Sequence, residues 1–71
     1  MSNKRGIVKW FNRLKGFGFI EPEEGGADIF VHYSSIDGEG YRNLHEGDSV
    51  RFDEKNDGKG ASAHNVRPNQ R

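Results

Sequence analysis

Two short aromatic runs constrain this chain more than any other feature of its sequence. In the first, residues 15–20, Phe17 and Phe19 stand two positions apart with a glycine before each. Side chains alternate between the two faces of a β-strand, so the two phenylalanines share one face, while the two glycines and Ile20 share the other. This run predicts a strand with aromatic rings on a single side.

The second run has the same alternation. It places on one side Ile29, Val31 and Tyr33, and on the other Phe30 and His32. If the aliphatic residues of both runs face a core, four rings face water together, which is costly unless a flat ligand covers them. Bases of single-stranded nucleic acid are such ligands, because each base stacked on an aromatic ring gains roughly 1–3 kcal/mol. The reverse orientation would bury His32 and expose Ile29 and Val31, so the pattern disfavours it.

The size and composition of the chain predict one small domain. The chain has 71 residues, which suits a single domain over 1–71 with a core of about 5–66 and a flexible tail at 67–71. It has no cysteine, which excludes disulfides and thiolate metal sites. It also has no apolar run long enough for a membrane span and no apolar leader segment. We expect a soluble, cytoplasmic monomer that does not associate with membranes.

Charge is distributed unevenly along the chain although its formal sum is zero. Residues 1–20 contain no acid, all eleven acids fall within residues 21–57, and the residues from 58 onward are basic again. A folded protein with this layout is expected to have one basic and one acidic face. The alternative is that the charges are simply mixed over the surface for solubility.

Hydrophobic alternation and turn residues predict five strands, at residues 6–12, 16–21, 28–33, 49–53 and 61–66. We expect Leu44, Val50, Phe52 and Val66 to face the core and Pro68 to end the last strand. Residues 34–36 are expected to form one helical turn capped by a serine. The predicted fold is all-β, a five-stranded antiparallel barrel, since closure hides the strand edges that a small open sheet would expose.

Two positions do not fit regular alternation. Val8 and Trp10 would share a face of the first strand, so Trp10 joins the exposed rings only if a β-bulge lies between them. The residue pattern by itself leaves the side of Trp10 open. Glu54 occupies the next inward position after Phe52, and we expect it at a barrel rim in water, because an unpaired buried carboxylate is costly.

The motifs in these strands resemble those of the cold-shock protein family. Residues 15–20 (Lys-Gly-Phe-Gly-Phe-Ile) resemble the family's first ribonucleoprotein motif, and residues 29–33 (Ile-Phe-Val-His-Tyr) resemble the second. Residues 6–12, with Lys-Trp-Phe-Asn, resemble its first strand, and the likeness extends from about Arg5 to Val66. The resemblance implies a five-stranded barrel of the oligonucleotide-binding (OB) type.

The resemblance also implies which residues touch nucleic acid. It places Trp10 on the binding face, and it leaves Phe11 aside as partly core. Base stacking is expected from Trp10, Phe17, Phe19, Phe30, His32, Tyr33 and Tyr41. Polar contacts to phosphates or base edges are expected from Lys9, Asn12, Lys15, Asp28 and Lys59.

The sequence departs from the family pattern at a few positions. Ala61 follows Gly60 where the family usually has proline, which is expected to loosen the loop that carries Lys59. Glu54 replaces a residue that is usually apolar, from which we expect a slightly smaller core and lower stability.

The sequence-based hypothesis is a non-catalytic binder of single-stranded RNA and DNA with a preference for pyrimidine-rich segments. The resemblance implies a role as an RNA chaperone. We expect no cofactor, no metal and no obligate protein partner. The alternatives are a barrel whose aromatic face binds a peptide, a metal-dependent nuclease that uses the acids of residues 21–57, and a metal site formed by the three histidines.

Overall fold

Five strands close into a barrel in the computed structural model, which describes residues 4–36, 44–56, 58 and 60–68. The strands are β1 (Lys4–Asn12), β2 (Phe17–Pro22), β3 (Ile29–His32), β4 (Ser49–Asn56) and β5 (Ala61–Pro68). Their order around the barrel is β1-β2-β3-β5-β4, and a short 3-10 helix, Tyr33–Ser35, follows β3. The predicted all-β, five-stranded OB-type barrel is confirmed.

One pair of neighbouring strands is parallel, so the prediction of a wholly antiparallel barrel is wrong. β3 runs parallel to β5, with Phe30 opposite Ser62, whereas the other four neighbouring pairs are antiparallel. The reason is geometric. Strand direction cannot alternate all the way around a closed ring with an odd number of strands, so one junction must be parallel.

The predicted strand boundaries differ from the observed ones at several ends. β1 begins at Lys4 rather than Gly6, β4 continues to Asn56, and β5 continues through Pro68 rather than ending at Val66. Pro68 lies opposite Val50 at the very end of β5, where a missing backbone N–H is tolerated. Predicted turns and tail at 37–43, 57, 59 and 69–71 lie outside the described residues.

The short helical turn is present, but the prediction of a serine cap is wrong. Its N-cap is His32, whose Nδ1 accepts a hydrogen bond from the backbone N–H of Ser34 at 3.2 Å. A histidine ring nitrogen therefore takes the place of a serine hydroxyl as the acceptor for a backbone N–H at the start of the helix.

The barrel interior is filled by apolar side chains, and no polar or charged residue of the described chain is buried. All four residues that were predicted to face inward do so. The core consists of Val8, Ile20, Ile29, Val31, Ile36, Leu44, Val50, Phe52, Ala63 and Val66. Ile20, Ile29 and Val31 are inside, so the rings beside them in β2 and β3 must face outward.

A β-bulge in β1 resolves the position of Trp10. The pairing register with β2 steps from Val8 opposite Ile20 directly to Trp10 opposite Phe19, which leaves Lys9 as the extra residue. Val8 is consequently buried, whereas Trp10 is 41% exposed. The bulge that the sequence required for an exposed Trp10 is confirmed.

Glu54 lies at the barrel rim, as predicted. Its side chain is partly exposed, and Oε1 lies 3.8 Å from Nζ of Lys4, which also donates a hydrogen bond to Glu24 at 2.7 Å. The hydrogen bond and charge of Glu24, with a smaller contribution from Glu54, raise the pKa of Lys4 above its ordinary value. Glu54 takes no place in the core, and the expectation of a slightly smaller core and lower stability stays a prediction.

Replacing equal rings inside and outside the barrel should separate their contributions to stability. Phe52→Ala empties the centre of the core and is expected to lower the free energy of unfolding by about 3–5 kcal/mol, which approaches the total stability of a small domain. Phe30→Ala removes a ring that is 37% exposed and should cost about 1 kcal/mol. Urea denaturation measures both, and equal losses would contradict this division between core and surface.

Candidate nucleic-acid interface

Four aromatic rings form a contiguous patch on the outer surface of β1, β2 and β3. Trp10 lies opposite Phe19, and Phe19 lies opposite Phe30, so three rings form a row across three strands. Cross-strand partners project from the same face of a sheet. Phe17 stands in the next row, between Asn12 and His32. We call Trp10, Phe17, Phe19 and Phe30 the ring platform.

The rings of the platform contact one another in a closed circuit. The Trp10 centroid lies 5.7 Å from that of Phe17 and 5.5 Å from that of Phe19. The Phe30 centroid lies 6.0 Å from that of Phe17 and 5.8 Å from that of Phe19. These distances are typical of favourable edge-to-face and offset contacts. The rings thus hold each other in place while one side of the patch stays open to solvent.

Gly18 allows this patch to form. It is buried opposite Phe11, and a Cβ at this position would overlap the carbonyl oxygen of Trp10 and the backbone of Phe11. Only glycine permits the two strands to approach so closely. Phe11 itself is half-buried and packs against the core, in agreement with the expectation that it is partly core.

His32 and Tyr33 form a second aromatic group at the end of β3. Their ring centroids are 4.6 Å apart. Strand alternation placed Tyr33 on the same side as Ile29 and Val31, whereas the resemblance implied an exposed stacking ring, and Tyr33 is 49% exposed. The reason is that the strand ends at His32, and the 3-10 helix that follows turns Tyr33 outward.

Ser34 fixes the His32 ring and was not predicted from the sequence. Its backbone N–H donates to Nδ1 of His32, and its hydroxyl oxygen lies 2.8 Å from the same nitrogen. Nδ1 must be an acceptor for the backbone N–H, so the neutral ring carries its proton on Nε2. The sequence feature that could have indicated this contact is a serine two residues after a histidine.

Three of the predicted polar contacts, Lys9, Asn12 and Asp28, have side chains that are engaged within the protein. Nζ of Lys9 lies 3.1 Å from Oδ2 of Asp28, so these two predicted site residues pair with each other beside Trp10. Oδ1 of Asn12 accepts a hydrogen bond from the backbone N–H of Lys15 at 3.0 Å, which closes the turn between β1 and β2. The structure brings all ten predicted residues that it describes to this side of the barrel or its adjoining loops; Tyr41 and Lys59 lie outside the described residues.

Ion pairing reduces the positive charge of the acid-free segment. Lys4 pairs with Glu24, and Lys9 pairs with Asp28. Arg13, which was not predicted to take part, contacts the ring nitrogens of His45 at 3.0 and 3.2 Å.

Within the described residues, no group of three or more histidine or acidic side chains is arranged to hold a metal ion. No helix there is long and apolar enough to cross a membrane.

Comparison with known proteins identifies the family. Residues 4–69 match the family described as the 'Cold-shock' DNA-binding domain. The Cold shock-like protein CspE of Escherichia coli (strain K12) is 54% identical over 66 residues, which span 93% of this chain and 96% of that protein. The chain belongs to the cold-shock domain family. The resemblance noted in its two aromatic motifs is confirmed, and membership makes it a nucleic-acid-binding protein.

Other relatives of this cold-shock domain agree in sequence or in fold. Cold shock protein ScoF of Streptomyces coelicolor is 54% identical over 63 residues, 89% of this chain and 94% of that protein. The structure of drosophila Unr CSD456 superposes with a TM-score of 0.79 over 94% of this chain and 26% of that one. At 21% identity the second likeness concerns the fold alone.

Tyr33 packs directly against Gly16 in this cold-shock domain, which makes Gly16 a test of the site. Gly16 has φ +77°, and a Cβ there would overlap the Tyr33 ring. Gly16→Ala should therefore cost the strain of a left-handed residue, about 1–2 kcal/mol, and displace the ring as well. Gly25→Ala is the matched control, because Gly25 has φ +93° but open space around it.

We expect Gly16→Ala to lower the free energy of unfolding more than Gly25→Ala and to shift the NMR signals of the Tyr33 ring. Equal losses of stability, with unchanged Tyr33 signals, would mean that Tyr33 does not rest on Gly16.

Proposed function

We propose that this protein binds single-stranded RNA and DNA by stacking bases on the ring platform and on the His32–Tyr33 pair. The observation that carries the proposal is the contiguity of four rings on one barrel face, with Trp10 and Phe30 each more than one-third exposed. Such a surface accepts the flat face of any base. Base-paired strands keep those faces stacked inside the duplex, so only unpaired bases can reach the rings.

Among the residues that the structure describes, few cations beside the rings are free to bind phosphate. Lys15 is exposed at the turn between β1 and β2, and Lys59 is proposed as a second contact. Lys9 becomes a third when a phosphate replaces the Asp28 carboxylate as its partner, which frees Asp28 to accept a hydrogen bond from a base edge. Stacking therefore supplies most of the affinity, and the phosphate contacts orient the strand.

The weak electrostatic contribution suits an RNA chaperone. A protein that binds bases transiently and with little sequence preference keeps transcripts unpaired and dissociates from them again. Family membership supports this role, a preference for pyrimidine-rich segments and action in the cytoplasm as a monomer. The acids of residues 21–57 serve as surface and ion-pair partners in this proposal, and the protein has no catalytic step.

Titration with oligothymidine tests the proposal. Bases that stack on Trp10 should quench its fluorescence, and Phe17→Ala and Phe30→Ala should each weaken binding by about 1–3 kcal/mol. Ile7→Ala is the matched control, because Ile7 is an apolar residue of β1, the strand of Trp10, and is 42% exposed. Its Cα partners, Glu21 and Ser49, are not aromatic.

Absence of quenching at low salt would refute the proposal. Competition by a proline-rich peptide would instead favour the peptide-binding alternative. Cleavage of the oligonucleotide during long incubation with Mg²⁺ would indicate the nuclease alternative.

Salt dependence tests the division between stacking and charge. Single strands lose affinity with a log–log slope of about −0.7 for each phosphate that is neutralised, so three contacts predict a slope near −2. Asp28→Asn removes the internal partner of Lys9, while the amide keeps the size of the side chain. The slope of the variant should be no shallower than that of the wild type. A wild-type slope of about −5 or steeper would show that phosphate contacts, and not stacking, dominate binding.

A further inference from the structure

A groove of about 290 Å³ lies beside Tyr33, at the end of the aromatic surface. It is lined by Arg13, Leu14, Lys15, Gly16 and Tyr33. We call it the Leu14 groove. Its volume is near the lower limit for small-molecule sites, and it shares Lys15 and Tyr33 with the interface proposed above. A strand that leaves the His32–Tyr33 pair towards the β1–β2 turn therefore enters this groove next.

Leu14 is the unusual residue of the groove. Its side chain is 99% exposed, more than that of any other large hydrophobic residue in the described chain. It makes almost no contact within the protein, so it contributes nothing to the core. It also stands between Arg13 and Lys15, at the tip of a turn. The fold gives no reason for an apolar side chain at this position.

The turn that carries Leu14 has a hydrogen-bonded backbone. Asn12 accepts two hydrogen bonds across it, from Lys15 N–H at the side-chain oxygen, 3.0 Å, and from Gly16 N–H at the carbonyl oxygen, 2.7 Å. The Gly16 carbonyl in turn accepts from the backbone N–H of Tyr33 at 2.8 Å. Backbone hydrogen bonds thus link the turn that carries Leu14 to Tyr33. A ligand would not have to order this backbone first, which favours binding.

The chemistry of the lining indicates the occupant. The lining combines two cations with an aliphatic side chain and an aromatic ring, and no acid is among the lining residues of the described chain. This combination suits a flat base attached to a phosphate. A second groove, of about 250 Å³, is lined by three cations but also by Glu23 and Glu24. Lys4 there already pairs with Glu24, so this groove suits a polyanion less well.

We infer that the Leu14 groove binds one further nucleotide of the strand on the ring platform, with its base between Leu14 and Tyr33 and its phosphate near Lys15 or Arg13. The inference rests on the proposed function and adds a subsite that extends the strand by one nucleotide. Arg13 reaches that phosphate by leaving His45, whose ring nitrogens it contacts in the free protein.

Leu14 and Leu44 are the two leucines of the chain, which allows a direct test. In leucine-methyl-labelled protein, Leu14 reports on the groove, and the buried Leu44, 3% exposed, is the internal control. Oligothymidines from three to nine nucleotides are titrated while Trp10 fluorescence reports occupancy of the ring platform. We expect short oligomers to quench Trp10 without moving the Leu14 methyl signals, and longer ones to shift those signals by the ring current of a base.

Affinity measurements with two variants complete the test. Leu14→Ser should leave the affinity for short oligomers unchanged and lower that for long ones by about three- to tenfold, and Leu14→Phe should raise the affinity for long oligomers. Leu14 is almost fully exposed, so neither variant should disturb folding, which urea denaturation checks.

Several outcomes would overturn the inference. One is that the Leu14 methyl signals stay unchanged at every oligothymidine length while Trp10 fluorescence is quenched. This result would leave the proposed function intact. Another is equal loss of affinity by Leu14→Ser at all lengths. Shifts of the Leu14 methyls that depend on protein concentration without nucleic acid would assign the groove to a second copy of the chain. Absence of Trp10 quenching at any length would instead remove the proposed function itself.

Discussion

β1 changes the face that it presents to the core at Lys9, and both the barrel interior and the ring platform depend on that change. Before the bulge, Val8 packs inside; after it, Trp10 projects outside beside Phe19. A regular strand would bury Trp10 or expose Val8. The indole is far too large for the space that a valine occupies, and overpacking a core is destabilising. One extra residue therefore lets a single strand serve two surfaces with different requirements.

The two surfaces impose opposite demands on a small domain. A chain of 71 residues has few apolar side chains for its core, and this one leaves four large rings outside. Contacts among the rings offset part of the cost of exposure, since an aromatic pair contributes about 0.5–1.5 kcal/mol beyond its buried area. The rings are therefore ordered before any ligand arrives, and little conformational entropy remains to be lost on binding.

Electrostatics in this protein organise the surface more than they attract a polyanion. Lys4 and Lys9 pair with acids, and Arg13 contacts His45. Salt screens the exposed lysine–acid pairs, and each contributes little to stability. Their effect is to keep the net field weak, so that flat apolar contact decides what binds. A neutral protein with an aromatic face can release a strand as readily as it binds one.

The sequence by itself determined the alternation of β2 and β3. The pattern favoured Ile20, Ile29 and Val31 inside and the phenylalanines of β2 and β3 outside, as the structure has them, and the two motifs were sufficient to name the family. Period-two patterning is a local property, and it is readable wherever a strand has one buried face.

Only the tertiary structure decided what lies where strands end or neighbours meet. β3 ends at His32, and Tyr33 therefore turns outward. Closure of an odd number of strands makes β3 and β5 parallel. Lys9 pairs with Asp28, nineteen residues further along the chain. Leu14 and Tyr33, which are far apart in the chain, line one groove. These features depend on contacts between residues far apart in the chain, which no local pattern encodes.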